Sequence, residues 1–195
     1  MEKKKISKIG CALLVGGKST RMGKEKASLQ WKGRTFLETI CTVLEETDIF
    51  QEKTLSLGNH KFWVKEEWKN SRDYFEEKGP MGGIHAVLKD SHMEAVFFVS
   101  CDMPLIKKEF VKRICEELED SLEGVAIITK DGKKHPLCGI YKTSLLPKIE
   151  EAIREGDYRL LKVLDDCNIR WITPKEEEEI CLTNINTPKD YQDII

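Results

Sequence analysis

Residues 13–27 read Leu13-Leu14-Val15-Gly16-Gly17-Lys18-Ser19-Thr20-Arg21-Met22-Gly23-Lys24-Glu25-Lys26-Ala27, an apolar run opening into glycines, hydroxyls and four cations within nine residues. Glycine tolerates positive φ and leaves room beside the main chain, so successive backbone N–H groups can converge on phosphate oxygens while lysine and arginine neutralise the charge. As a plain surface turn, the segment would crowd four like charges with no anion between them. Two familiar phosphate loops fail on spacing. GxxxxGK[ST] needs four residues between its glycines and a hydroxyl after the lysine, but five separate Gly17 from Gly23 and Glu25 follows Lys24. GxGxxG does not occur, and Leu55-Ser56-Leu57-Gly58-Asn59 ends the second predicted strand without a carboxylate for the ribose of NAD. A dinucleotide oxidoreductase is disfavoured.

The second feature is Asp102. It lies two residues past Ala95–Ser100, whose sequence Ala-Val-Phe-Phe-Val-Ser is apolar on both faces, as a central parallel strand requires. Open α/β sheets place ligands beyond the carboxyl ends of their strands, and a carboxylate there can hold Mg²⁺, which prefers oxygen ligands and nucleotide phosphates. The competing reading is a helix N-cap before Pro104. His60, His85, His92 and His135 form no obvious acid–base pair, so structural roles are expected, with His135 singled out because Pro136 follows it. The amides of Asn184 and Asn186 and the guanidinium of Arg159 can hydrogen-bond a phosphate-bearing substrate without acting as bases. The two asparagines can also be read as turn formers before Thr187-Pro188.

These groups need a frame. Strands are predicted at Ile9–Val15, Lys53–Leu57, Ala95–Ser100, Val125–Thr129, Leu137–Tyr141, Arg170–Thr173 and Ile180–Thr183. Helices are predicted at Thr35–Thr47, His60–Lys69, Ile84–Lys89, Phe110–Leu118, Leu145–Arg154, Arg159–Leu164 and Pro188–Ile195. Gly79-Pro80-Met81-Gly82-Gly83 reads as a run of breakers, hence loop. Asp131-Gly132-Lys133-Lys134 reads as a hairpin turn, which puts one antiparallel strand in a mainly parallel sheet. The Glu176–Glu179 run reads as a solvated turn.

The 195 residues suit one domain over 1–195. With 32 Lys+Arg against 34 Asp+Glu and a net charge of −2, binding to nucleic acid or to an anionic membrane through bulk charge is not expected. No apolar run approaches the roughly 20 residues of a spanning helix. The basic Met1–Lys5 leads into a strand with no small-residue cleavage site, so no signal peptide is expected. Seven cysteines without zinc spacing read as reduced thiols of a cytoplasmic protein.

The pattern Leu-x-Gly-Gly-x-Ser-x-Arg-Met-Gly-x-x-Lys resembles the signature loop of nucleotidyltransferases with a nucleotide-diphospho-sugar transferase fold, and among them the molybdenum cofactor guanylyltransferases (MobA family). Gly79-Pro80-Met81-Gly82-Gly83, Ser100-Cys101-Asp102-Met103-Pro104, His135-Pro136, Arg159 and Asn184-Ile185-Asn186-Thr187-Pro188 follow in the same order as in that family, so the resemblance covers nearly the whole chain. It implies a three-layer α/β/α Rossmann-like fold and transfer of GMP from GTP to Mo-molybdopterin, with Mg²⁺ held by Asp102. It implies catalytic roles for Arg21, Lys26 and Asp102. Nucleotide contacts are implied at Leu14, Val15, Gly16, Gly17, Gly23, Lys26, Asn59, Asp73, Gly79, Gly83 and Asp102. Second-substrate contacts are implied at His135, Arg159, Asn184 and Asn186. Molybdenum-insertion proteins and molybdoenzyme chaperones would be the further partners. The alternatives are a molybdopterin cytidylyltransferase, another nucleotidyltransferase of this fold, or a non-catalytic module that delivers cofactor. Related cytidylyltransferases tend to carry Ala-Ala-Gly where this chain has Val15-Gly16-Gly17, and the missing Cβ leaves room for a purine.

Overall fold

In the computed structural model, which describes residues 6–15, 26–58, 65 and 67–195, strands and helices alternate along the chain. The order is β1 (Ile9–Leu14), β2 (Gln30–Trp31), β3 (Arg34–Thr35), α1 (Phe36–Glu45), β4 (Glu52–Ser56), β5 (Lys69–Ser71), α2 (Pro80–Asp90), β6 (Ala95–Ser100) and α3 (Lys108–Glu116). Then follow β7 (Gly124–Ile128), β8 (Lys134–Lys142), α4 (Leu146–Arg154), α5 (Leu160–Asp165), β9 (Ile169–Ile172) and α6 (Pro188–Gln192). Seven strands form one sheet in the order β5-β4-β1-β6-β8-β7-β9, and β2 pairs with β3 as a separate ribbon. Only β8 runs against the others in the large sheet, pairing antiparallel with β6 and β7. The α/β expectation with one antiparallel strand holds, and β6 is the middle strand.

Both faces of β6 are covered because its side chains alternate between two apolar layers. Phe97 packs with α1 and α3 on one face, and Phe98 with α2, α4 and α5 on the other. Both rings are fully buried, and burial of a side chain this size contributes about 1.5–3 kcal/mol. Helix α1 starts where the sequence can cap it. Glu38 N–H donates to the Thr35 hydroxyl at 3.1 Å, and Thr35 N–H donates to the Glu38 carboxylate at 2.7 Å. This reciprocal box lowers the pKa of Glu38.

Several boundaries differ from expectation. Gly79–Gly83 is not all loop: α2 begins at Pro80, so Gly82 and Gly83 lie in its first turns. A Cβ at Gly83 would sit 2.5 Å from Ser56 Oγ, and one at Gly82 would sit 3.0 Å from Asp73 Oδ2. These glycines serve close approach of the helix to the sheet rather than chain breaking. Ile180–Thr183 is not a strand. Residues 180–182 belong to a 3₁₀ segment, Glu176–Leu182, which buries Cys181 and Leu182 in the core. The Glu176–Glu179 run opens that segment and is not wholly solvated, since Arg113 grips the Glu178 carboxylate through Nε at 2.8 Å and Nη2 at 2.5 Å. Lys69 begins strand β5 instead of closing a helix, and residues 60–64 and 66 of that predicted helix lie outside the described residues. The closing helix ends at Gln192.

Pairing of β7 with β8 jumps from Ala126↔Gly139 to Ile127↔His135, so Pro136, Leu137 and Cys138 bulge away from β7. The bulge accommodates a proline inside the sheet. It also frees the Pro136 carbonyl, which accepts the buried Tyr141 hydroxyl at 2.7 Å. All seven cysteines are free thiols. Burial, followed by the Asp102 charge, pushes the Cys101 thiol up to about 12, so it stays protonated. Among the described residues no helix is long and apolar enough to cross a membrane.

Candidate active site

The chain leaves β1 to neighbours on opposite sides, β4 and β6, which makes the carboxyl edge of these strands a topological switch point. The edge extends one step past the strands. Val15 N–H donates to Ser56 O at 2.9 Å, Leu57 N–H to Ser71 O at 3.0 Å, and Cys101 N–H to Leu14 O at 3.0 Å. Leu14 and Val15 are buried with their side chains in the two core layers. Any ligand contact from this pair must therefore be made by backbone. The glycine loop departs after Val15 and returns at Lys26, the first residue of a 3₁₀ turn ending at Ser28. Gly16, Gly17, Arg21, Gly23 and Asn59, all predicted site residues, lie outside the described residues.

Lys26 and Asp102 meet although 76 residues separate them. Lys26 Nζ is 3.4 Å from Asp102 Oδ2 and donates to Asn186 Oδ1 at 2.5 Å. Each side chain of the Lys26–Asp102 pair is 18% exposed, so both groups can reach a ligand. Asn186, predicted to face a second substrate, thus touches the lysine of the nucleotide loop. Ile185 N–H donates to Asp102 O at 2.8 Å, fixing the asparagine segment to the end of β6. The turn-former reading applies to the next residues: Thr187 caps α6, and Asp190 Oδ2 accepts the N–H groups of Asn186 and Thr187 at 2.9 Å. Asn184 Oδ1 is buried with no hydrogen-bond partner.

Asp73 lies beside the first turn of α2, below Gly82 and Gly83. Its Oδ1 is buried without a partner, as is the Ser71 hydroxyl at the end of β5. Buried polar atoms are nearly always paired, so these two, without a partner among the described residues, are candidates for contact with a polar ligand. Nothing in the sequence pattern singled out Ser71, because a serine at the end of a short edge strand carries no periodic signal. Burial raises the pKa of Asp73 against a smaller opposing pull from His85. A carboxyl raised on folding stabilises the fold while protonated, and that contribution is lost as pH rises through the raised value. At pH 7 Asp73→Asn should therefore raise the melting temperature of the ligand-free protein, by about 1–3 °C for a chain this long. Melting curves should show the gap narrowing toward pH about 4, where the unfolded carboxyl also takes its proton. A variant that melts lower than wild type at pH 7 would contradict this account.

His135 sits on β8 beyond the Val99↔Cys138 pair, hence on the same edge of the sheet as Asp102. Its Nε2 is buried and unpaired, and burial, then the Lys133 charge, pushes its pKa down. The ring is neutral at pH 7. Gly79 has φ of 60°, a conformation that favours glycine, and precedes Pro80 at the start of α2. Arg159 is on the rim. Asp157 holds its guanidinium through Oδ1 at 2.9 Å and Oδ2 at 2.6 Å, and also takes Lys162 at 2.8 Å. The Arg159 and Lys162 hydrogen bonds keep Asp157 well below the usual carboxylate range. Lys78 donates to the Tyr158 hydroxyl at 2.9 Å, which ties this turn to the Gly79 loop. Among the described residues no hydrogen bond joins Arg159 to the Lys26–Asp102–Asn186 group.

The donor set discriminates between kinds of metal site. Among the described residues no group of three or more His, Cys, Asp or Glu side chains could hold a metal by itself. Mg²⁺ suits such a place, since it keeps waters and takes one or two carboxylates together with substrate phosphates. Asp102, a single carboxylate at this edge, could share such an ion with substrate phosphates but could not hold one by itself. A polyphosphate at this edge would find a carboxylate for its metal, an ammonium for its charge and unpaired polar atoms for its base or sugar.

The description of a MobA-like NTP transferase domain matches residues 11–170. A probable molybdenum cofactor guanylyltransferase of Aquifex aeolicus (strain VF5) is 32% identical over 191 residues, covering 97% of this chain and 92% of its own. A protein of the same name from Flavobacterium johnsoniae is 31% identical over 183 residues, 93% of this chain and 94% of its own. Among solved structures, molybdopterin-guanine dinucleotide biosynthesis protein A of Archaeoglobus fulgidus is similar at a TM-score of 0.78 and 25% identity, over 95% of this chain and 96% of its own. The 4-diphosphocytidyl-2C-methyl-D-erythritol synthase of Anaerococcus prevotii shares the fold at a TM-score of 0.69 and 11% identity, over 96% of each chain.

Proposed function

This chain belongs to the MobA-like NTP transferase family, and from that membership we propose that it is a molybdenum cofactor guanylyltransferase, moving GMP from GTP to the terminal phosphate of Mo-molybdopterin. The observation that carries the reading is the meeting of Lys26, Asp102 and Asn186 at the carboxyl edge of β6. An oxygen of the acceptor phosphate bonds to the α-phosphorus of GTP, the bond from that phosphorus to the bridging β-oxygen breaks, and pyrophosphate leaves with the electron pair. The acceptor is already an anion at pH 7, so no strong base is required. The work left to the protein is alignment and neutralisation of charge. Lys26, with Arg21, would face the α-phosphate and the departing pyrophosphate. Mg²⁺ held by Asp102 would neutralise phosphate oxygens and orient them. Asp73 and Ser71 would serve the guanosine end, and Arg159 and Asn184 the acceptor.

Guanine specificity rests on Gly16-Gly17, where a missing Cβ leaves room for a purine. Thermal melting with Mg²⁺ and each nucleotide tests it. A ligand at a hundredfold excess over its Kd stabilises by about 2.7 kcal/mol, or roughly 5–10 °C in a chain of this length. GTP should give the largest shift. An equal or larger shift with CTP would make the protein a cytidylyltransferase, and binding without pyrophosphate release in the presence of acceptor would make it a delivery module.

A further inference from the structure

We propose that Asn186 is a positioning residue for Lys26, so that the stretch following the 3₁₀ segment Glu176–Leu182 aims the ammonium group at the phosphates in addition to bordering the acceptor. The proposal rests on the reading above in which Lys26 meets the nucleotide. Of the two oxygens near Lys26 Nζ, the Asn186 amide at 2.5 Å is a hydrogen bond, whereas Asp102 at 3.4 Å lies beyond the usual charge-assisted range. The amide therefore sets the aim. It also does so without cancelling the charge, because an amide oxygen takes one N–H and leaves the ammonium positive with donors for phosphate. A lysine without this tether would settle on Asp102, the carboxylate needed for the metal.

The amide is itself held at both ends. On one side, Ile185 N–H is bonded to Asp102 O at 2.8 Å, and the fully buried Ile185 side chain packs with Leu29 and Phe36. On the other, Asn186 N–H is bonded to Asp190 at 2.9 Å, and the end of the chain grips the β2–β3 ribbon. Tyr191 donates to Gln30 O at 2.6 Å, and Trp31 Nε1 donates to Ile194 O at 3.0 Å. That ribbon starts four residues after Lys26, so the lysine and its acceptor are fixed to one another through two short paths. Among the described residues the Asn186 side chain has no other hydrogen bond, and its backbone anchors survive truncation.

A double-mutant cycle on steady-state turnover with GTP and Mo-molybdopterin tests the tether. Asn186→Ala should lower kcat about tenfold, with the KM of each substrate within about twofold of wild type, because the lost bond is to a charged donor and acts on the reacting complex. In a Lys26→Met background the same change should alter kcat by less than about twofold, since no ammonium remains to be aimed. Unchanged kcat with a raised acceptor KM would overturn the proposal and return Asn186 to acceptor binding alone. Equal losses in both backgrounds would also overturn it, because a folding defect or an independent role does not depend on Lys26. A Lys26→Met enzyme that turns over like wild type would overturn it by removing Lys26 from the nucleotide site, a failure of the site reading distinct from failure of the tether.

Discussion

Asp102→Asn is expected to fold and melt like wild type and to lose at least about 10²–10³ of its turnover, the size of effect seen when one preorganised charge-stabilising group is removed. Folding should survive because, among the described residues, the side chain's polar partner is Lys26 at 3.4 Å, while the structural bond at this residue, Ile185 N–H to Asp102 O, belongs to the backbone. Turnover should not survive. An amide oxygen is a poor magnesium ligand, and no second carboxylate cluster among the described residues can take its place. The measurement is kcat at saturating Mg²⁺ beside a melting curve. Comparable turnover in the variant at saturating Mg²⁺ would remove Asp102 from metal binding and leave it as the ion-pair partner of Lys26 beyond β6; the alternative of a helix N-cap does not hold, since α3 starts at Lys108 with Lys107 at its N-cap.

Lys26→Ala should lower kcat by about 10²–10³ with a smaller change in GTP affinity, as expected of a charge whose interaction strengthens while pyrophosphate departs. Its place supports this, since a lysine only 18% exposed and held by Asn186 has lost its freedom before any ligand arrives. Lys24→Ala should be nearly silent, because the loop register gives the phosphate-neutralising role to Lys26 and not to Lys24. Kinetics of the two variants in parallel decide the register of the loop. If Lys24→Ala is crippled and Lys26→Ala is not, the roles given to Arg21 and Gly23 from the same register are withdrawn with that of Lys26.

The alternation of strands and helices, the central place of Ala95–Ser100 and the single antiparallel strand were legible in the sequence because each leaves a local mark. A strand covered on both faces is apolar throughout, a half-buried helix repeats near 3.6 residues, and a hairpin needs its glycine, here Gly132 at φ 83°. The glycine loop and Asp102 were legible for a related reason: the chemistry of phosphate binding demands residue types that few structural roles would place together.

Other features are set by distances through space, which no window of sequence contains. Gly82 and Gly83 look like breakers, yet Ser56 and Asp73 press so close to α2 that only glycine fits within the helix. Ile180–Thr183 has strand composition, but its neighbours bury Cys181 and Leu182 through a 3₁₀ turn instead. Asn186 was legible as a polar group near a ligand and not as the partner of Lys26, 160 residues away. Ser71 became a candidate ligand contact only once folding had buried its hydroxyl without a partner among the described residues, close to Asp73, which the resemblance had already implied as a nucleotide contact. By itself the sequence determined which main elements form and which edge of the sheet carries Asp102, because those follow from local periodicity and from the apolar character of β6. The tertiary structure decided which of them touch, because contact depends on how the layers close over the sheet.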